Sequence, residues 1–456
     1  LASDPFELAT LILRGQKIAG LLAREVSDDT CVVECNNMVS DRQGIHATSC
    51  GMHENHFISR ALYERITEPE YPSKRLFADN LSIHRLGRSM QDFLSFKALK
   101  IIFSGAGTIG NSGRSRTARY QLSERADFIE RYIGGSTMGH RPFINTRDEP
   151  HANYEVFARF HDINGEGNRS PWAMILSAGL TSMLLSAMHD DALDLDWYCA
   201  APFLTLGIVS RDIACASTVP IVRRSTHAIE YARPVDLLGE IVAKLARHAT
   251  RSGIPDWHLT LAGEAADILG ELADGVFDGK AATMLDWLIK MRVLERAMLR
   301  KHLNPDAPDA WMHASIRSID MRYHCLDNTS LWDAVAASMH VRDIDSFSTA
   351  EDRLFSSPAP ADTNAYLLNM LISDPHLIPY SKVDNWGIIL IRPDTTDEFT
   401  QIGLDNPVTF TREYLTGALE GDFDFSTPEK RARLIQILRR GTSECNIRKI
   451  QRFRIR

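Results

Sequence analysis

One stretch sets the terms for the rest of this chain. Residues 171–189 carry apolar side chains all around a helix, interrupted before the closing His189 only by small and hydroxyl residues, and a helix apolar on every side has to be buried. Its continuous apolar part, residues 173–188, falls short of the roughly 18 residues that span a bilayer. The natural place for it is the middle of a large core. A chain of 456 residues has the length for one large catalytic domain and a smaller second one. Hydrophobic content of 44% and charged content of 24% are ordinary for a soluble globular enzyme.

The charge balance excludes one class. With 51 Lys and Arg against 59 Asp and Glu, the net charge is -8, whereas a dedicated nucleic-acid binder needs a basic surface. A local basic run closes the chain: Arg431, Arg433, Arg439, Arg440, Arg448, Lys449, Arg452, Arg454 and Arg456. It reads as a solvated helix face and tail, with an acidic partner as the alternative. Seven cysteines (Cys31, Cys35, Cys50, Cys199, Cys215, Cys325, Cys445) show no CxxC pair, so reduced thiols in a cytoplasmic protein are expected. No signal-peptide pattern is read at the start, which is Leu1.

Spacing predicts a helix over 6–25, with Asp4 as N-cap and Pro5 in the first turn. A short strand over 31–34 and a polar loop over 36–51 follow, then a helix over 56–65. Residues 97–104 read as an apolar segment ending in Ser104-Gly105-Ala106-Gly107. The Gly-, Ser- and Arg-rich stretch 105–119 is a loop, either a phosphate cradle or a plain connection. Strands are expected over 141–146, 157–163 and 385–392, and helices through 235–302 with a break at 253–255. A domain boundary falls near 375.

The densest polar segment is Asn145-Thr146-Arg147-Asp148-Glu149-Pro150-His151-Ala152-Asn153, immediately after an expected strand. A planar guanidinium suits phosphate, and His and carboxylate groups can move protons or ligate a metal. A surface loop held by its own ion pairs has the same composition. A second cluster, His53-Glu54-Asn55, offers a carboxylate for Mg2+ or simply an acidic helix start. His161, on the apolar strand, reads by itself as a hydrogen-bonded core residue. Trp386 could stack on a nucleotide base or pack in the core.

Taken in order, Ser49-Cys50-Gly51-Met52-His53-Glu54-Asn55, the segment Gln121 to Glu130, Arg141 to Ala152, Leu285-Asp286-Trp287-Leu288-Ile289-Lys290 with Arg292, and Asp320-Met321-Arg322-Tyr323-His324 resemble the Pup ligase and depupylase family from about residue 1 to 420. The resemblance implies an α+β fold: a glutamine-synthetase-like antiparallel sheet cradle packed with helices (1–375), closed by a small C-terminal α/β domain (376–456). It implies ATP and Mg2+, with Glu54 and His161 as metal ligands and Arg147 at the ATP phosphates. Glu149 and His151 would be catalytic in the same loop, and Trp386 would lie near the nucleotide. The activity implied is an ATP-dependent carboxylate–amine ligase working through a γ-glutamyl phosphate. Its partners would be a Pup-like small protein and a target lysine, or a smaller acid and amine. A depupylase-type amidohydrolase and a non-catalytic nucleotide- or protein-binding paralogue are the alternatives.

Three departures stand out. The family's opening Glu-x-Glu strand and acidic segment with its catalytic Asp have no counterpart, so the chain reads as starting after them or as lacking those groups. Asn364 stands where the family has Arg, which removes an anion contact. The loop 38–49 is longer than the family's.

Overall fold

The computed structural model describes residues 5–26, 39–40, 47–48, 51–67, 80–109, 120–136, 140–147, 157–252, 257–327, 329–344, 361, 363–385, 387–404 and 406–453. In chain order the first elements are α1 (Pro5–Val26), β1 (Val39–Ser40), β2 (Ala47–Thr48), β3 (Glu54–Ser59), α2 (Arg60–Thr67), α3 (Arg88–Ser104), β4 (Ile129–Gly134), β5 (Arg141–Asn145), β6 (Phe157–Asp162) and α4 (Pro171–His189). Then come β7 (Trp197–Cys199), α5 (Pro202–Arg211), β8 (Val219–Arg223), β9 (Ile229–Ala232), α6 (Pro234–Ser252), α7 (Trp257–Ala273), α8 (Ala281–Met284) and α9 (Asp286–Arg300).

Helix α4 lies where its composition requires. It is long and apolar enough to cross a membrane by length and composition, three residues beyond the apolar run, but 89% of that window is buried inside the protein. Around it, α1, α3, α6 and α7 form the helical layer. Phe93, Phe96, Ile102 and Phe103 of α3 and Leu176, Leu180 and Leu184 of α4 sit in one continuous apolar core. At roughly 25 cal/mol per Å² of apolar surface removed from water, this core supplies most of the drive to fold.

Against the helices lies a four-stranded sheet in the order β3-β6-β5-β4. The β3–β6 and β6–β5 pairings are antiparallel, and β4–β5 is parallel, so the expected antiparallel cradle carries one parallel edge. The α+β class holds. A second sheet, β7-β8-β9, is a separate three-stranded unit. The helical expectation over 56–65 is corrected: Glu54–Ser59 is a strand with alternating burial, and the helix begins only at Arg60.

A distinct apolar cluster is built from Leu367, Leu371, Ile389, Ile391, Ile402, Leu415, Leu434 and Leu438. It joins the helix Ala365–Ser373, the strands Ile388–Ile391 and Thr400–Gly403, the helix Arg412–Ala418 and the long helix Pro428–Phe453. Arg431, first of the basic run, is only 3% exposed and donates to the carbonyls of Pro393 and Phe425.

Candidate functional site

Strand pairing sorts the polar side chains of the sheet onto two faces. Glu54 stands opposite Asp162, and Asn55 opposite His161. Side chains alternate along a strand, so Glu54 and Asp162 share one face while Asn55 and His161 share the other.

The inner face meets α3 and α4. There Lys97 and Lys100, three residues apart and so on one side of α3, reach the sheet. Lys100 Nζ donates to Glu54 Oε1 at 2.8 Å and Oε2 at 2.9 Å, and to Thr181 Oγ1 at 2.9 Å. Lys97 Nζ donates to Asp162 Oδ2. Ser177 Oγ donates to Glu54 Oε1, and His56 Nε2 lies 3.3 Å from Glu54 Oε2. All four charged groups are almost fully buried. Burial alone would raise the Glu54 carboxyl, but Lys100, the His56 hydrogen bond and Lys97 outweigh it and hold it well below the usual carboxylate range. Burial pushes Lys97 down to about 8, opposed by Asp162.

The outer face differs in sign. His161 Nε2 and His53 Nδ1 are 3.1 Å apart. Arg159 donates to Asn55 Oδ1 at 3.2 Å and to the Arg147 carbonyl at 2.9 Å. The Arg147 amide donates to Asn145 Oδ1 at 2.9 Å, which fixes the first turn after β5. Its side chain is exposed. Burial, then Arg159 and His53, push His161 down to about 4. Burial also lowers His53, reinforced by Arg125, Arg141 and Arg159. Two neutral imidazoles therefore sit among guanidinium groups.

A third cluster was not read as a site from the sequence, although its segments were singled out. Glu166 accepts from Ser123 Oγ, from the Arg125 amide at 3.1 Å and from the Ala106 amide at 2.7 Å. Lys290 pairs with Asp320 at 2.9 Å, and Asp286 accepts from Tyr323 Oη at 2.6 Å and from the Ser170 amide. The segments around 121–127, 285–290 and 320–324 thus converge with Glu166 near the start of β3. Close backbone approach explains Gly51 and Gly165: a Cβ on Gly51 would stand 2.6 Å from the Gly165 carbonyl, and one on Gly165 2.6 Å from that of Met52. Glu124 is the exception within this cluster. It is 1% exposed, neither carboxyl oxygen has a hydrogen-bond donor among the described residues, and burial, then Glu166, push it up to about 10.

Of the expected site residues, Arg147 and His161 come together on the outer face. Glu54 is on the inner one. Glu149, His151 and Trp386 lie outside the described residues. Mg2+ prefers several oxygen ligands. The outer face offers imidazoles and guanidiniums, and the inner carboxylates are already held by ammonium groups. Among the described residues no three His, Cys, Asp or Glu side chains are grouped to hold a metal, so the fit to a protein-bound Mg2+ fails there. Asn364 is buried and structural: its amide donates to the Asn406 carbonyl at 2.9 Å and its oxygen accepts from the Phe410 amide at 2.8 Å.

A family model described as Pup-ligase protein matches residues 14–376. The chain is 29% identical over 324 residues to a depupylase of Acidothermus cellulolyticus, covering 68% of this chain and 55% of that protein. It is 25% identical over 398 residues to a Pup–protein ligase of Bifidobacterium dentium, covering 82% and 72%. The match thus spans little more than half the length of the first of these relatives. Among solved structures, the Pup ligase PafA in complex with ADP aligns with a TM-score of 0.67 at 18% identity, covering 96% of this chain and 84% of that one. The complex of Pup with its ligase PafA aligns at 0.65 and 20% identity, covering 98% and 81%. These structural likenesses establish the fold.

Proposed function

The chain belongs to the Pup-ligase family, and from that premise we propose that it is an ATP-dependent carboxylate–amine ligase, with the outer face of the β3–β6–β5 sheet as its nucleotide-phosphate floor. The observation that carries this reading is Arg159, which reaches from β6 to Asn55 Oδ1 and to the Arg147 carbonyl, so that two arginines stand beside the His53–His161 pair. Guanidinium groups give paired, charge-assisted hydrogen bonds to phosphate oxygens. Burial and the neighbouring guanidiniums lower both imidazoles, so the positive charge of this face is left to the arginines.

In the proposed reaction a carboxylate attacks the γ-phosphoryl group of ATP, giving an acyl phosphate and ADP. An amine then displaces phosphate and forms the amide. Arg147 would offset charge on the transferring group, with Glu149 and His151 in the same loop as catalytic partners and Trp386 near the base. Mg2+ would arrive bound to the nucleotide. The ADP complex of the related ligase supports the nucleotide, and the Pup complex supports a Pup-like protein as the acid and a target lysine as the amine. A smaller acid and amine pair is the alternative. The reading places the protein in the cytoplasm, with Cys199, Cys215 and Cys325 buried and outside any disulfide.

The likeness to a depupylase supports a second reading, in which the same face serves isopeptide hydrolysis. The test is calorimetric titration of ADP into the full chain and into Arg147→Ala, followed by mass spectrometry of a Pup-like protein with a lysine acceptor. A new amide with release of ADP and phosphate supports ligation. Cleavage of a preformed isopeptide without net ATP consumption supports the hydrolase. Nucleotide binding that survives Arg147→Ala undiminished removes the phosphate floor from both.

A further inference from the structure

We propose that Lys97 and Lys100 are built-in cations at the joint between the sheet and the helical layer, and that Glu54 is their structural counter-ion rather than a metal ligand. The proposal goes beyond the catalytic reading and does not depend on it.

Saturation carries the argument. An ammonium has three N–H donors, and those of Lys100 are directed to Glu54 Oε1, Glu54 Oε2 and Thr181 Oγ1. A carboxylate offers about four acceptor sites. Glu54 uses them on two contacts from Lys100, one from Ser177 Oγ and one facing His56 Nε2. Asp162 is closed in the same way: Oδ2 takes Lys97 and lies 3.7 Å from the Lys100 ammonium, while Oδ1 accepts from the Asn164 amide at 3.0 Å.

Charge balance points the same way. Two ammonium groups face two carboxylates, so the quartet is neutral. The side chains of the four are 0–4% exposed. A divalent cation would add two positive charges to a dry site already holding two, and it would have to displace the ammonium donors to reach oxygen at coordination distance. His161 cannot help, because it stands on the opposite face. The quartet joins β3, β6, α3 and α4 directly beneath the outer-face imidazoles.

The test is Mn2+ binding to the full chain without nucleotide, read by electron paramagnetic resonance, in wild type and Glu54→Gln. Thermal unfolding of wild type is followed in EDTA and in excess Mn2+. The proposal predicts the same number of Mn2+ ions per chain in both proteins and a wild-type Tm that EDTA does not lower. Loss of one Mn2+ on Glu54→Gln, or a fall of wild-type Tm in EDTA, overturns it. Should Glu54→Gln fail to fold, the wild-type Tm comparison still decides. The neutral pair Glu54→Gln with Lys100→Met adds a further check. It should fold and unfold at the same Tm with and without Mn2+, and a Mn2+-dependent Tm in wild type that this pair abolishes contradicts the proposal.

Discussion

The two faces of one small sheet use charge in opposite ways. On the inner face, Glu54, Asp162, Lys97 and Lys100 are buried, paired and mutually neutral. On the outer face, Arg147 and Arg159 stand beside two neutral imidazoles, and Asn55 and Phe57 are exposed. Adjacent residues on β3, Glu54 and Asn55, belong to different worlds because a strand alternates. Buried charge that is fully satisfied organises the joint, whereas positive charge at the surface is what a polyanion can use. A carboxylate next to a ligand site in sequence need not serve that ligand.

Substitutions should separate the faces. The largest effect is expected for Lys100→Met, which leaves Glu54 charged and unpaired in the core. Breaking one partner of a buried pair costs roughly 3–5 kcal/mol, to be read by urea unfolding, and adding Glu54→Gln should recover most of it. Retention of full stability by the single variant would mean that the inner face is wetter than its packing indicates.

Next comes Glu124→Gln, in the cluster beside both faces. The native carboxyl, pushed up to about 10, holds its proton across neutral pH, while the unfolded one loses it near its ordinary value. The unfolded state thus binds fewer protons between those values, so this group's contribution falls as pH rises through that window. The amide should stabilise by about 1–3 kcal/mol at pH 8 and flatten the alkaline side of a stability–pH curve.

His161 acts with the opposite slope. Its native pKa is depressed to about 4, so its stabilising contribution is complete above its ordinary value and is lost as pH falls through that window. His161→Gln should remove this acid-side loss while leaving stability at pH 8 little changed. The smallest effect on stability belongs to Arg147→Ala. Its side chain is exposed, so unfolding should change by no more than about 0.5 kcal/mol. Nucleotide affinity, by contrast, should fall roughly 10- to 100-fold, as expected for loss of a charged hydrogen bond.

Helix α4 was legible from its apolar residues because burial leaves no other arrangement, and β5 and β6 were legible from short apolar runs. Arg147 was legible as a chemical group following a strand. The helix expected over 56–65 is present from Arg60 onward, and the reading failed only at 56–59, where side chains alternate in burial along a strand. The joint role expected for Glu54 and His161 could not be judged without the register, since only pairing tells which residues share a face. Lys97 and Lys100 were passed over inside a segment read simply as apolar. Two lysines three apart within Phe93–Phe103 were the available signal, because a buried ammonium needs a carboxylate. Asn364 gave no sign in sequence that it would tie the strand end at Leu404 to Phe410.

The account rests most directly on the claim that the outer face binds phosphate and the inner face does not. Calorimetric titration of ADP into wild type, Arg147→Ala with Arg159→Ala, and Lys100→Met with Glu54→Gln tests it in one series. The account predicts that the outer-face double variant loses at least about tenfold in affinity while the inner-face pair binds like wild type. Equal binding by the outer-face variant, or loss confined to the inner-face pair, would contradict it.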